Sequence, residues 1–272
     1  MTKRWLKYLA IVIAAVVIYQ LFIKEKGVPS LSPRDYAEIV KSDTLRTTLE
    51  FNSISMMQGP DSIEGFHYEL IEAFAHDHGL EVSVSPLMSM KERLKGLEEG
   101  RFDLIADGIP VTTDRNDSLV FSIPIGRNHQ VLIQRKPQNA EDSLRLVTSQ
   151  LDLAGKTLYI VKESPVILRI RNISMEIGDT IIVEEVDKYG PEQLLAMVAY
   201  GDIDYAVCDE RIARMAADSL PQIDYSVPIG FTQFYAWGLN RKAPVLLDSV
   251  NTWLQRFMQT KRFKALAKKY HI

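Results

Sequence analysis

The polar residues most suited to binding a small charged molecule follow a short apolar run, Leu104 to Ala106. The candidate contacts just past that run are Asp107, Gly108, Pro110, Thr113 and Arg115. Ligands of open α/β sheets bind outside the carboxyl ends of strands, so a strand over 104–106 would place these residues at such an edge. Arg115 would there offer a forked donor to a carboxylate. The alternative is a surface ion pair of Arg115 with Asp114 or Asp117.

A second segment repeats the pattern about 100 residues later. GRFDLIAD at 100–107 and GDIDYAVCD at 201–209 share a glycine, an apolar residue, an aspartate, an apolar strand and a final aspartate. We interpret them as equivalent parts of two similar lobes, in which Asp107 and Asp209 face a shared cleft. Chance similarity of a common helix-to-strand unit is the alternative.

Three further residues are candidates for the cleft. Phe51 and Met56 lie in a predicted loop, 51–60, that follows the first strand and reaches the same sheet edge as Arg115. Ser164 follows a predicted strand and would cap or begin the next helix, where backbone N–H groups attract anions.

The elements that must position these residues alternate. Between residues 45 and 106, apolar patterns predict strand, helix, strand, helix and strand, which indicates mostly parallel sheets with helices packed on them. Extended stretches near 126–130 and 229–236 are predicted to be hinge strands. The first lobe would then comprise 43–128 plus 232–272, and the second lobe 129–231.

Composition excludes several classes of function. The single Cys208 excludes an intramolecular disulfide and a cysteine zinc site, and His76 and His78 point to different helix faces, so we predict no metal site. No phosphate-binding loop or dinucleotide fingerprint occurs, so we predict no cofactor. The first 26 residues carry five basic residues and one acid, which leaves about −7 for the rest and argues against nucleic acid as a partner.

The amino terminus predicts a membrane anchor. Residues 5–24 approach the length needed to span a bilayer, and 25–42 would form a tether and a short helix. A cleaved signal peptide is the alternative, although no small-residue cleavage site follows the apolar run. We expect a single pass through the cytoplasmic (inner) membrane with the binding domain in the periplasm, the flanking charges orienting it only weakly.

Four segments together resemble a known family over nearly all of residues 42–270. They are DTLR at 43–46, GFHYELIEAFA at 65–75, GRFDLIADGIPVTTDR at 100–115 and LVFSIPI at 119–125. The family is the amino-acid type of extracytoplasmic solute-binding proteins (family 3). The resemblance implies the two-lobed α/β fold of type II periplasmic binding proteins, with two mixed, mostly parallel sheets joined by two hinge strands.

The second lobe also resembles the non-catalytic binding domain of membrane-bound lytic murein transglycosylases. The matching segments are EQLLAMVAYGDIDYAVCDERIA at 192–213, YAWGLNRK at 235–242 and WLQRFMQTKRFKALAKKY at 253–270. In that family a lysozyme-like catalytic domain would follow, whereas the sequence given ends at Ile272. No catalytic residue can be carried over, so we expect a protein that is not an enzyme.

The resemblance assigns roles to the candidate residues. Arg115 would pair with a ligand carboxylate, Asp209 would take a ligand ammonium, and Ser164 would give a hydroxyl or backbone contact. Asp107, Gly108 and Pro110 would line the cleft, but the transport members usually carry hydroxyls and small polar residues there. That departure favours another amine-bearing or peptide ligand, such as a cell-wall peptide, over a standard free amino acid.

The sequence therefore predicts a membrane-anchored binding protein that closes on a small amino-acid-like or peptide ligand, as a sensor, regulator or capture module. Two alternatives stay open. One is the substrate-binding subunit of an amino-acid ABC transporter, with a permease as partner. The other is a cell-wall enzyme with an unrecognised site; a regulator would instead have a cell-wall enzyme as partner.

Overall fold

The computed structural model describes residues 31–111, 119–187 and 190–272. The first elements in chain order are α1 (Tyr36–Lys41), β1 (Thr44–Leu49), β2 (Met57–Gln58), β3 (Ile63–Glu64), α2 (Phe66–Asp77), β4 (Glu81–Pro86), α3 (Met90–Glu98) and β5 (Leu104–Pro110). The predicted alternation of strand, helix, strand, helix and strand is confirmed by β1, α2, β4, α3 and β5.

The rest of the chain forms a second sheet with its own helices and then returns to the first sheet. Its elements are β6 (Leu119–Phe121), β7 (Gly126–Asn128), β8 (Gln130–Arg135), α4 (Ala140–Arg145), a 3₁₀ turn (Gln150–Leu153), β9 (Thr157–Val161), α5 (Val166–Ile177), β10 (Ile182–Val186), α6 (Pro191–Tyr200), β11 (Ala206–Asp209), α7 (Glu210–Ala216), β12 (Ile223–Asp224), β13 (Gln233–Asn240), α8 (Pro244–Phe257) and α9 (Lys261–Lys269).

Two mixed sheets organise the described residues. The first sheet has the order β4-β1-β5-β13-β6, with β7 also paired to β13, and the second sheet has the order β10-β9-β11-β8-β12. Parallel pairs join β4, β1 and β5 in the first sheet and β10, β9 and β11 in the second. The sequence predicted mostly parallel sheets, but the proportion of parallel strand pairs is smaller than expected. Strand β13 runs antiparallel to three strands and β8 to two.

The chain changes sheet twice. His129 alone separates β7 of the first sheet from β8 of the second, and residues 225–232 lead back from β12 to β13. The first crossing lies within the predicted hinge strand 126–130, and the second overlaps the predicted hinge strand 229–236 at residues 229–232. Sheet membership supports a first lobe of 43–128 plus 232–272 and a second lobe of 129–231, a division that we keep as a proposal.

Separate apolar cores hold the two sheets. Helix α2 packs on β1, β4 and β5, and its buried Phe66 and Phe74 share the first core with Trp237. The second sheet is covered on both faces, by a cluster that includes Ile170 of α5 and by another that includes Leu194 of α6. Burial of apolar side chains on both faces explains why β8, β9 and β11 of this sheet are rich in consecutive apolar residues.

Strand β5 is longer than the sequence indicated. We expected Asp107, Gly108 and Pro110 to break the strand after Ala106, but β5 continues through Pro110 and pairs with β13. Proline is tolerated at that point because it ends the strand, where the missing N–H interrupts no further ladder. The three residues thus lie on the strand itself rather than on a loop beyond it.

The predicted membrane anchor, 5–24, lies outside the described residues, as do tether residues 25–30. Within the part of the chain that the structure covers, none of the helices has both the length and the apolar character needed to span a bilayer. Residues 36–41 form the short helix that the sequence predicted after the tether.

Candidate functional site

A cavity of about 370 Å³ is lined by residues that belong to both sheets and their loops. It lies at the carboxyl ends of β1, β5, β9 and β11, which contribute Glu50, Pro110, Lys162 and Asp209 to its wall. This is the edge at which open α/β sheets bind ligands. The arrangement brings polar residues from distant parts of the chain around a single space.

Five of the predicted site residues line this cavity: Asp107, Gly108, Pro110, Ser164 and Asp209. Thr113 and Arg115 lie outside the described residues. The role of each residue in ligand binding stays a prediction.

Phe51 and Met56 do not line the cavity in the described structure. Asn52 and Met56 exchange two backbone hydrogen bonds of 3.0 and 3.1 Å, and this tight turn buries Met56 in the first core and leaves Phe51 half exposed. The loop instead presents Asn52, Ile54 and Ser55 to the cavity. The position of a loop after a strand does not predict which of its side chains will face the cavity.

The carboxylate of Asp107 is already bound by the protein. It pairs with Arg93 of α3, and it accepts hydrogen bonds from the Ser55 hydroxyl at 2.5 Å and from its neighbour's backbone, Gly108 N, at 2.8 Å. Burial opposes ionisation, but the Arg93 guanidinium and the other donors hold the pKa of Asp107 below its usual value. Asp107 is therefore charged and fully partnered.

Glu50 shares the same guanidinium. Its carboxylate lies 3.1 Å from Arg93 Nη2, and its side chain is about 22% exposed. Burial and the nearby charge of Asp107 raise the pKa of Glu50 to about 7, against the opposing effect of Arg93. Two carboxylates on one arginine leave a net charge of about −1 when both are ionised. No local pattern predicts this cluster, because its members come from β5, α3 and the residue that follows β1.

Asp209 also has an internal partner, Arg211. The carboxylate accepts the Arg211 backbone N–H at the start of α7, and it accepts Nε at 3.1 Å and Nη2 at 2.9 Å in a forked ion pair. The guanidinium also lies 4.9 Å from the centre of the Tyr235 ring. Asp209 thus faces the cavity as a neutralised pair rather than as the open carboxylate that a ligand ammonium would need.

Ser164 lies on the cavity wall but does not cap the following helix. The residue before α5 is Pro165, and no side chain accepts a hydrogen bond from the first turn there. Beside Ser164, Glu163 has a left-handed backbone (φ 63°) and accepts a 2.9 Å hydrogen bond from the Ser89 hydroxyl at the start of α3. A second link of this kind joins Ser53 N to the Glu192 carboxylate of α6 at 2.8 Å. Both contacts tie loops of the first sheet to the second.

His67 also lines the cavity, although no motif in the sequence indicated it. It lies on α2, is 1% exposed, and its Nδ1 is 3.2 Å from the indole Nε1 of Trp237. Burial lowers its pKa to about 4, although the charge of Asp107 partly opposes that shift. The ring is therefore neutral at pH 7.

Among the residues that the structure describes, side chains suited to metal binding do not cluster. No group of three or more histidine, cysteine, aspartate or glutamate side chains is placed to hold a metal ion anywhere in residues 31–111, 119–187 and 190–272. Cys208 is buried on the cavity wall, and burial raises the pKa of its thiol. A thiol with a raised pKa is a poor nucleophile, so Cys208 acts as a small apolar residue.

Two mixed sheets with helices packed on them, joined by two crossings and with a cavity at the carboxyl ends of their strands, define the two-lobed fold of type II periplasmic binding proteins. A sequence model of this class matches residues 44–272. The chain belongs to the bacterial extracellular solute-binding proteins, family 3.

Similar proteins agree with this membership. A membrane-bound lytic murein transglycosylase F of Alteromonas mediterranea is 25% identical over 225 residues, which is 82% of this chain and 48% of that protein. The chain thus spans about half the length of the curated relatives that it matches.

Solved structures share the fold. A P235GK mutant of ArgBP from T. maritima gives a TM-score of 0.72 at 21% identity, covering 86% of this chain and 98% of the other. The amino acid ABC transporter substrate-binding protein AbpA from Streptococcus pneumoniae, bound to L-arginine, gives 0.71 at 21% identity, with coverage of 86% and 97%. At this identity the likeness shows the fold alone.

Proposed function

We propose that the chain is a membrane-anchored extracytoplasmic solute-binding protein that closes on a small amino-acid-like or peptide ligand, as a sensor, regulator or capture module. The observation that carries this proposal is the cavity of about 370 Å³, whose charged wall combines Glu50 and Arg93 from one sheet with Asp209 and Arg211 from the other. A ligand held between two such walls stabilises their closed arrangement.

The size and polarity of the cavity support a small polar ligand. Cavities of roughly 300–1,000 Å³ accommodate small molecules, and a few polar groups on an apolar wall fix their orientation. The similar solved proteins include one bound to L-arginine, and the similar longer proteins are named as lytic murein transglycosylases. Amino acids and short cell-wall peptides are accordingly the first ligands to test.

The predicted anchor at 5–24 favours a fixed place on the outer face of the cytoplasmic membrane, in the periplasm. A sensor or regulator, for example of a cell-wall enzyme, would act from that place. The rival proposal is a transport subunit, for which the likeness to an ABC transporter substrate-binding protein is the supporting observation. Purification with a permease would favour transport, whereas purification with a cell-wall enzyme would favour regulation.

The test is a thermal unfolding screen of the full chain with L-arginine, L-glutamate, L-glutamine and short muropeptides. A ligand at 100 times its Kd adds about 2.7 kcal/mol to the free energy of unfolding, which should raise Tm by roughly 5–10 °C for a domain of this size. Absence of any shift across the panel would contradict the proposal.

The same screen tests Arg115, which we propose as the contact for a ligand carboxylate. Arg115→Ala should remove most of the stabilisation by a carboxylate ligand, because a forked ion pair would be lost. Arg171→Ala, at an exposed position on α5, is the matched control and should leave the shift unchanged. Stabilisation that survives loss of Arg115 would rule out this role.

A further inference from the structure

His67 presents an unused hydrogen-bond donor to the cavity. The Trp237 indole can only donate, so the Nδ1 atom that it contacts at 3.2 Å must be the acceptor nitrogen of a neutral imidazole. The low pKa of His67, about 4, agrees with that neutral form. The proton therefore lies on Nε2, and this buried atom has no hydrogen-bond partner among the described residues. A buried donor without a partner is costly unless another molecule satisfies it.

Gly108 opens the space in front of this donor. A Cβ placed on Gly108 would lie 3.0 Å from His67 Nε2, 3.4 Å from Arg211 Nη2 and 3.3 Å from the Tyr235 ring. Because Gly108 has no side chain, no Cβ fills the space between these two nitrogen atoms on the wall that all four residues line. His67 belongs to a helix packed on the first sheet, and Arg211 follows the last parallel strand of the second.

Arg211 retains donors for a ligand. A guanidinium carries five N–H bonds, and the two side-chain hydrogen bonds to Asp209 use one on Nε and one on Nη2. The nearest carboxylates, Asp107 and Asp209, each have an arginine of the protein as partner, so the wall around Gly108 offers donors rather than open acceptors.

We propose that this part of the wall is an oxygen-acceptor subsite, in which His67 and Arg211 donate hydrogen bonds across Gly108 to a carboxylate or amide oxygen of the ligand. The subsite rests on the proposed binding function and specifies its ligand: a molecule with a carbonyl-type oxygen is accepted, and a bare cation is not. Asp209 is held by Arg211 and does not serve as the ammonium contact.

The test compares probes of similar size by titration calorimetry of the full chain. L-glutamate, L-glutamine and the dipeptide L-Ala-D-Glu carry carbonyl oxygens, whereas putrescine and cadaverine are cations without oxygen. We expect binding within the first group and none within the second. For the probe that binds best, His67→Phe should weaken binding about tenfold, and Gly108→Ala should weaken it at least as much because the added methyl covers both donors.

Arg211→Ala gives a change that a merely structural role would not produce. It removes one donor and frees the Asp209 carboxylate, so affinity for the oxygen-bearing probe should fall about tenfold while cadaverine begins to bind. His78→Phe, which alters a histidine away from the cavity on the same side of the first sheet, is the matched control and should leave both affinities unchanged. Circular dichroism confirms that each variant is folded.

Two outcomes would overturn the subsite and spare the binding function: cadaverine binding the wild type as tightly as the oxygen-bearing probes, or both His67→Phe and Gly108→Ala binding with unchanged affinity. Failure of every probe to bind the wild type would contradict the subsite. Failure of the wider thermal screen as well would contradict the binding function, so the two proposals fail separately.

Discussion

At the scale of single residues, the two arginines among the described lining residues, Arg93 and Arg211, both bind the protein's own carboxylates. Arg93 is 2% exposed and serves both Asp107 and Glu50. A buried charge is tolerated only when it is paired. Here the two carboxylates of Asp107 and Glu50 are paired with the single positive charge of Arg93. Burial of Glu50, together with the nearby charge of Asp107, raises the pKa of Glu50 despite its contact with Arg93.

Glu50 should make the stability of the protein depend on pH. Its pKa is about 7 in the folded state against 4.5 for the free group, so the folded state holds an extra proton between these values. The free energy of unfolding therefore falls, on account of this group, as pH rises from about 4.5 to about 7. Glu50→Gln removes this loss and should gain about 2 kcal/mol relative to the wild type between pH 5 and pH 8.

Urea unfolding of the wild type and Glu50→Gln at the two pH values measures that gain. Glu81→Gln, an exposed glutamate on β4 of the same sheet, is the matched control and should change little at either pH. If wild type and Glu50→Gln keep the same difference in stability at pH 5 and pH 8, Glu50 does not titrate as described.

The sequence identified two carboxylates of the cavity, Asp107 and Asp209, but neither Glu50 nor the arginine partners. Asp107 and Asp209 could be predicted because each directly follows an apolar run, a local pattern that indicates the carboxyl edge of a sheet. Arg93 contacts Asp107 from α3, and the apolar pattern of that helix does not predict the direction of the arginine side chain. Arg211 lies only two residues beyond Asp209, so the spacing Asp-x-Arg at the start of a helix was an available signal for the second pair.

At the scale of elements, the entry of α2 decides where His67 lies. Gly65 precedes the helix with φ 141°, and a Cβ there would lie 2.4 Å from the Ser55 carbonyl oxygen. Its backbone N–H donates to the Tyr270 hydroxyl at 2.8 Å, which ties the same point to the end of α9. Only glycine lets the helix begin this close to the 52–56 turn that carries Ser55.

Gly65→Ala should therefore destabilise the protein by about 2–3 kcal/mol, because the methyl group meets backbone atoms that cannot move independently. Gly79→Ala is the matched control. Gly79 also has a positive φ, 66°, but no heavy atom lies within 4 Å of its added Cβ, so strain of about 1 kcal/mol is the whole cost. Equal losses for the two variants in urea unfolding would show that the close approach at Gly65 has no energetic effect.

The order of helices and strands was predictable from the periodicity of apolar residues, whereas the length of an individual strand was not. Helix α2 followed from Phe66, Leu70 and Phe74, and the structure confirms it. Strand β5 extended past Ala106 because β13, from more than 120 residues later, pairs with Ile109 and Pro110. A partner strand so distant leaves no mark on the local sequence, so residues that look like strand breakers were interpreted as a loop.

At the scale of the whole molecule, two contacts link the loops of the first sheet to the second beside the cavity. Ser89 donates to Glu163, and the Ser53 backbone N–H donates to Glu192. Each hydrogen bond to a carboxylate contributes about 1.5–3 kcal/mol when shielded from water, and less where it is exposed. The balance between closed and open arrangements thus depends on a small number of contacts of modest strength.

The Glu163→Ala and Glu192→Ala double variant should shift the ligand-free protein towards an open arrangement, because both links lose their acceptor. Small-angle X-ray scattering should show a larger radius of gyration than for the wild type. The matched control is Glu81→Ala with Glu184→Ala, which removes one exposed strand glutamate from each sheet and preserves the net charge change. An unchanged radius of gyration in the first variant would mean that these links do not hold the two sheets together. An equal increase in the control would assign the expansion to charge instead.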